Sequence, residues 1–150
     1  MYGKIKKQRG AAAVEFALVL PILIVIAFGI IYFAPVFNNY IAITHAARDG
    51  ARLLAVKANF DSGGNLNSSG TFSEDRLIKN IENNLPDYVK DGKYWGALEN
   101  INITINNPEP NVIGAEASVF VSGDVILNIP FVANNRNITI SKEVVMRQEQ

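Results

Sequence analysis

The pattern of apolar and polar residues changes twice along the chain. An uninterrupted apolar run occupies Phe16–Phe37. Beyond it, small and apolar side chains recur at steps of three and four residues as far as Ala55, which is typical of one face of a helix. In the last third of the chain apolar and polar residues alternate, as they do in strands. The pattern therefore predicts a long N-terminal helix followed by a small α+β domain.

The apolar run predicts a single membrane span. As a helix it is long enough to cross roughly 30 Å of hydrocarbon. The polar pair Asn38 and Asn39 follows the run and marks its end. Cationic residues precede the run, and this bias of positive charge predicts that the N-terminus lies in the cytoplasm and the rest of the chain outside. A cleaved signal peptide is the alternative. It is disfavoured because its apolar core is usually about 7–15 residues long, and because Pro35 directly follows Ala34, the only candidate cleavage position.

The helical periodicity continues past the span and predicts one helix over 11–57. Ala42, Ala46 and Gly50 form a stripe of small side chains at four-residue spacing, which allows another element to approach the backbone closely. Two partners fit this stripe, the outer domain of the same chain or another subunit. The sequence alone leaves both open.

The C-terminal part predicts a short helix and three strands. The helix carries Leu77, Ile78, Ile81 and Leu85 on one face. Strands joined in sequence most simply form an antiparallel meander, and we expect a bulge at Gly123 and a break near Lys142. The expected fold class is α+β, with this organisation along the chain: basic leader 1–10, transmembrane and stalk helix 11–57 with its span over 16–37, flexible connector 58–70, and extracytoplasmic α+β domain 71–150.

Composition argues against catalysis. The chain has no cysteine and a single histidine, His45, which excludes thiol chemistry and cysteine-ligated metals. Fourteen basic residues balance fourteen acidic ones, whereas nucleic-acid binders are usually strongly basic. We therefore expect no enzyme activity, no catalytic, cofactor-binding or metal-binding residues, no cofactor and no nucleic-acid partner.

Glu15 stands at the edge of the apolar run, where a carboxylate is costly and usually has a partner. Cleavage between Gly10 and Ala11 would create an α-ammonium group four residues before Glu15, on the same helix face. That amine could neutralise its own Glu15 or that of a neighbouring subunit. The alternative is a carboxylate that reaches the lipid headgroups, and the spacing does not decide between the two.

These residues also carry a family resemblance. Gln8-Arg9-Gly10 followed by Ala11-Ala-Ala-Val-Glu-Phe16 resembles a prepilin-peptidase processing site. The longer string from Arg9 to Pro21, together with Ala46-Ala-Arg-Asp-Gly-Ala-Arg52, resembles TadE-like proteins, the minor pseudopilins of tight-adherence (Tad/Flp) pili.

The resemblance implies a function in pilus assembly. It implies that a prepilin peptidase cuts Gly10–Ala11 within a motif that includes Arg9 and Phe16, and that Ala11 and Glu15 form a charge pair during assembly. It implies an inner-membrane location, in contact with lipid, and a place in the pilus or at its tip. The implied protein partners are other minor pseudopilins, the major Flp-type pilin and the inner-membrane assembly platform. The alternative is a permanently anchored extracytoplasmic module that is not cleaved.

Overall fold

Six elements follow one another in the computed structural model, which describes residues 3–90, 96–107, 112–127 and 136–149, with side chains from residue 10 onward except that of Arg136. The chain divides into two units, Met1–Ala34 and Pro35–Gln150. The elements are α1 (Gly3–Ala55), α2 (Glu74–Asn84), α3 (Asp87–Lys90), β1 (Leu98–Asn106), β2 (Glu116–Leu127) and β3 (Arg136–Arg147).

Helix α1 begins earlier than the expected helix. It starts at Gly3, so the segment that follows, expected as a leader, is helical up to Gly10. That segment contains Lys, Gln and Arg, which are good helix formers, and no proline. The helix ends at Ala55, two residues before the expected end, because Lys57 adopts a left-handed conformation with φ of 45° that a continuing helix does not allow.

The three strands form one antiparallel sheet in the order β1-β2-β3. Val119 in the middle strand pairs with Ile105 on one side and with Val144 on the other. The predicted meander and the α+β class, with a long N-terminal helix and a short second helix, are therefore confirmed.

The expected bulge is on the other strand. Glu99 pairs with Asp124 and Asn102 pairs with Ser122, so two residues of β1 face Gly123 alone. The extra residue belongs to β1, where Asn100 has a φ of 52°. A Cβ atom at position 123 would lie 3.2 Å from Leu98 Cδ1. The glycine therefore leaves room for the Leu98 side chain across the bulge.

The break expected near Lys142 is absent. Strand β3 pairs with β2 without interruption, and Lys142 lies opposite Val121. Alternation places Lys142 on the same face as Ile140 and Val144. Its side chain is half-buried, and its methylene groups can cover apolar surface while the ammonium group reaches solvent.

The core of the second unit lies between the sheet and two helices. The inner face of the sheet packs against the second half of α1 and against α2. On the predicted helix face, Leu77, Ile81 and Leu85 are each exposed by 3% or less, whereas Ile78 is half-buried. The core side chains that are completely inaccessible to solvent include Ile43, Ala47, Ala51, Phe60, Leu77, Val89, Val119, Val121 and Val125.

The segment 58–70, expected as a flexible connector, is tied to the core through Phe60. The backbone groups of Phe60 and Thr71 exchange two hydrogen bonds of 3.2 Å. Arg76 Nη1 donates to the Phe60 carbonyl oxygen at 2.9 Å and to Thr71 Oγ1 at 2.7 Å. The aromatic ring is completely buried, so this segment contributes to the core.

We expect the stability of the fold to depend on pH through a carboxyl group in the turn that follows Phe60. Asp61 accepts hydrogen bonds from the backbone N–H groups of Asn65 and Gly63, and these bonds hold the pKa of its carboxyl group below the usual value. A lowered pKa in the folded state stabilises the fold above the unfolded pKa, and this contribution is lost as the pH falls through the folded pKa. We expect Asp61→Asn to reduce the loss of stability below about pH 4. Urea unfolding at pH 7 and at pH 3 measures the free energy of unfolding of the variant and of the wild type. Glu82→Gln, at an exposed position on α2, is the control, and an equal effect of both variants would contradict the prediction.

Candidate membrane and assembly segment

The first unit is a helix whose apolar side chains are exposed. Leu18 and Val25 are each 71% exposed and Ile30 is 68% exposed. From Gly10 onward α1 contains an apolar stretch with mean hydropathy of 2.8, none of which is buried. Soluble proteins rarely expose so much contiguous apolar surface. By length and composition this is the one helix in the described part of the chain that could cross a membrane, which indicates single-pass anchoring.

Gly10 lies within α1 and is open on its outer side. A Cβ atom built at this position would meet no atom within 4 Å, so the helix itself does not require a glycine here. Glycine inside a helix weakens it by about 0.5–1 kcal/mol relative to alanine. The Gly10–Ala11 peptide bond is therefore at a position where the helix opens more easily and where a second protein can approach.

The structure places Ala11 and Glu15 on one helix face, one turn apart. Both residues are exposed, and Phe16 beside them is 61% exposed. Among the described side chains no cation forms an ion pair with Glu15. In the uncut chain Ala11 presents an amide nitrogen, which carries no charge. Arg9 lies in α1, and its side chain is outside the described part.

The stripe of small residues packs within the chain. Ala42 is 6% exposed and Ala46 is half-buried. Gly50 is buried, and a Cβ atom at this position would lie 3.0 Å from Ile81 Cγ1 and 3.3 Å from Val119 Cγ1. Of the two partners that the sequence left open, the described structure brings the stripe against α2 and β2 of its own domain.

We expect Gly50→Val to destabilise the second unit by about 1–3 kcal/mol, because overpacking a filled core forces its neighbours to move. Gly29→Val is the matched control in the same helix, since a Cβ atom at position 29 meets no atom within 4 Å. Thermal unfolding of the full chain in detergent measures both variants. Equal stability of the two would show that position 50 is not closely packed.

Asn39 has a structural role that the sequence analysis missed. The sequence predicts that the pair Asn38 and Asn39 is a polar step after the span, yet Asn39 is only 2% exposed. Its Nδ2 atom donates to the Gly96 carbonyl oxygen at 2.5 Å. Gly96 has a φ of 77°, and a Cβ atom there would overlap Pro35. The spacing could have indicated the burial of Asn39, though not its partner, because Asn39 lies four and eight residues before the buried Ile43 and Ala47.

The described residues contain no group of three or more acidic or histidine side chains that could hold a metal ion.

The arrangement of the described elements defines a class of protein: one exposed apolar helix at the N-terminus that could anchor the chain in a membrane, followed by an α+β domain with an antiparallel meander. Residues 10–52 match the family model described as TadE-like protein, and the resemblance identified from the sequence is thereby confirmed. Comparison with curated proteins and with solved structures gave no match.

With the exception of Arg9, the matched segment contains the residues of the predicted processing, charge-pairing and packing sites. TadE-like proteins are pilus components, so the match indicates a Tad pilus-associated protein. The sheet and both short helices lie outside the matched residues.

Proposed function

We propose that this chain is a minor pseudopilin of a Tad pilus, anchored in the inner membrane and processed after Gly10. The observation that carries the proposal is the extent of the family match, which begins at Gly10 and includes the exposed apolar helix. A subunit that is held in lipid before assembly needs an apolar helix whose side chains are not used by its own domain.

Processing begins at an accessible bond. A prepilin peptidase at the cytoplasmic side hydrolyses the Gly10–Ala11 peptide bond, which separates the basic leader from the helix. The absence of a side chain at position 10 lets the enzyme approach the backbone closely. The new Ala11 ammonium group then lies one turn before Glu15.

The charge pair guides assembly. The Ala11 ammonium group of one subunit neutralises the Glu15 carboxylate of its neighbour, which lowers the cost of holding both charges near lipid. The assembly platform brings such subunits together with the major Flp-type pilin and with other minor pseudopilins. The protein then acts through helix packing rather than through catalysis.

The test is the N-terminal residue and intact mass of the protein recovered from its native membrane. We expect a chain that starts at Ala11. We also expect Gly10→Val to remain uncut, although the fold has room for the added side chain, while Gly29→Val is cut normally. A wild-type chain that retains its leader would contradict processing and favour the permanently anchored module. Cleavage near Ala34 would contradict both and indicate a signal peptide.

A further inference from the structure

Two faces of the second unit carry exposed side chains that lie outside its buried core. The first is a line of exposed side chains on α1, which we name the stalk stripe: Phe37, Ile41, Arg48 and Arg52. At 3.6 residues per turn these four side chains project within about 60° of one another. Phe37 is 65% exposed and Ile41 is 53% exposed. Neither arginine forms an ion pair with a described side chain. The stripe is therefore apolar at one end and basic at the other.

His45 and Asp49 border the stalk stripe on the side of α2. Both residues line a cavity of about 160 Å³ together with Ile41 of the stripe and with Asn80 and Asn84 of α2. The charged residues of the stripe itself are Arg48 and Arg52, so the line from Ile41 to Arg52 carries positive charge, with Asp49 beside Arg52 at its edge.

The second face is the side of the sheet that points away from α1, which we name the outer sheet face. Phe120 lies near its centre, 36% exposed, between Thr104 of β1 and Glu143 of β3. An aromatic ring exposed among polar side chains offers apolar area to a partner.

The outer sheet face is acidic. Its carboxylates belong to Glu99, Glu116, Asp124 and Glu143, whereas the base described on it is Arg147, opposite Glu116. Asp124 accepts hydrogen bonds from Thr139 Oγ1 at 2.6 Å and from Asn100 Nδ2 at 3.2 Å. These bonds hold the pKa of Asp124 below its usual value, so the carboxylate is ionised at neutral pH.

The two faces are complementary in charge, and they approach each other where Arg52 of the stripe and Arg147 of the outer sheet face line one cavity. We propose that the stalk stripe of one copy docks on the outer sheet face of a second copy, with Ile41 against Phe120 and the two arginines against the carboxylates. The contact is heterologous, so each copy keeps one face open and association continues into an open array.

The spacing of the groups agrees with this pairing. Ile41 and Arg48 are separated by about 10 Å along a helix, and Phe120 and Asp124 by about 13 Å along a strand. Where the helix of one copy crosses the sheet of a second copy, Ile41 can therefore contact Phe120 while Arg48 lies beside Asp124. The inference rests on the proposed function only in that a filament subunit needs a contact that repeats.

The cysteine-free sequence makes the contact testable by crosslinking of the full chain in reconstituted vesicles. We expect the double variant Ile41→Cys, Phe120→Cys to give a ladder of crosslinked species under mild oxidation. A mixture of the two single variants should give dimers only, each containing one copy of each variant. Dimers within either single-variant sample would indicate a self-complementary contact and overturn the proposal, as would a double variant that stays monomeric.

A second set of variants tests the charges. On the double-cysteine background, Arg48→Glu with Arg52→Glu should reduce the ladder about tenfold, because like charges then face each other. Asp124→Lys with Glu143→Lys in the same chain should restore it. Lys79→Glu, at an exposed position on α2, is the control and should change nothing. Thermal unfolding confirms that each variant is folded, and an unchanged ladder in the reversed variant would overturn the charge pairing.

The crosslinking outcome is independent of processing, because the vesicles contain no peptidase. A ladder from a chain that is never cut in its native membrane would leave the docking contact standing and contradict the proposed processing. A chain cut at Ala11 that gives no ladder would contradict the docking contact alone.

Discussion

Glu15→Val is expected to abolish incorporation of this subunit into pili while leaving membrane insertion intact. Removing the carboxylate makes the helix more apolar, so insertion should be retained. Under the proposed function, however, the Ala11 ammonium group that processing creates loses the partner that neutralises it near lipid. Fractionation of membranes and of sheared pili, followed by immunoblotting, measures the two pools separately.

Glu15→Gln separates charge from shape, because it keeps the side-chain length and removes the negative charge. We expect it to fail in assembly as the valine variant does. Asp49→Asn is the matched control, since it removes an exposed carboxylate from the same helix outside the processing motif. Normal assembly of the glutamine variant would indicate that Glu15 acts without its charge and would contradict the proposed pairing with Ala11.

Phe60→Ala is expected to lower the free energy of unfolding of the second unit by about 3–5 kcal/mol, because it empties a fully buried aromatic site. A loss of this size is a large fraction of the total stability of a typical domain, about 5–15 kcal/mol. Chemical unfolding of the full chain in detergent, followed by the circular dichroism signal, measures it.

Phe120→Ala provides the control for this substitution, since it removes the same side chain from a position that is 36% exposed. It should cost much less, because a partly exposed ring leaves no enclosed cavity when it is removed. Similar losses for the two variants would mean that segment 58–70 does not hold Phe60 in the core.

The regular elements were predictable because their patterns are long. The exposed apolar helix follows directly from Phe16–Phe37, and the alternation after residue 100 gave three strands in the observed order. The buried face of α2 also followed from the spacing of Leu77, Ile81 and Leu85. In each case several residues follow the same apolar pattern, so one residue that departs from the pattern does not change the predicted element.

Single residues were harder to predict because their roles depend on distant partners. Phe60 stands between polar and glycine-rich neighbours, and only its contacts with the core and with Arg76 reveal its burial. Asn39 is buried because the carbonyl oxygen of Gly96, far along the chain, accepts its hydrogen bond. The position of the bulge depended on the Leu98 side chain across from Gly123. None of these partners can be identified from local sequence.

In the candidate site, too, the features that depend on local sequence could be predicted, and those that depend on tertiary contacts could not. The order of Gly10, Ala11 and Glu15 is local, so a helix places the last two on one face whatever the rest of the chain does. The partner of the small-residue stripe depended on the tertiary fold. The side chains of Ile81 and Val119 against Gly50 assign it to the chain's own domain.

The second half of α1 is fastened near both of its ends. Asn39 binds the Gly96 carbonyl oxygen at one end, and at the other the backbone N–H of Glu149, just after β3, donates to the Ala55 carbonyl oxygen at 3.0 Å. A pulling force that enters the unit through Pro35 therefore loads the helix in shear, with the contacts along its buried face sharing the tension. Such contacts must yield together rather than one turn at a time, which is the mechanical behaviour that the proposed role in a pilus would require.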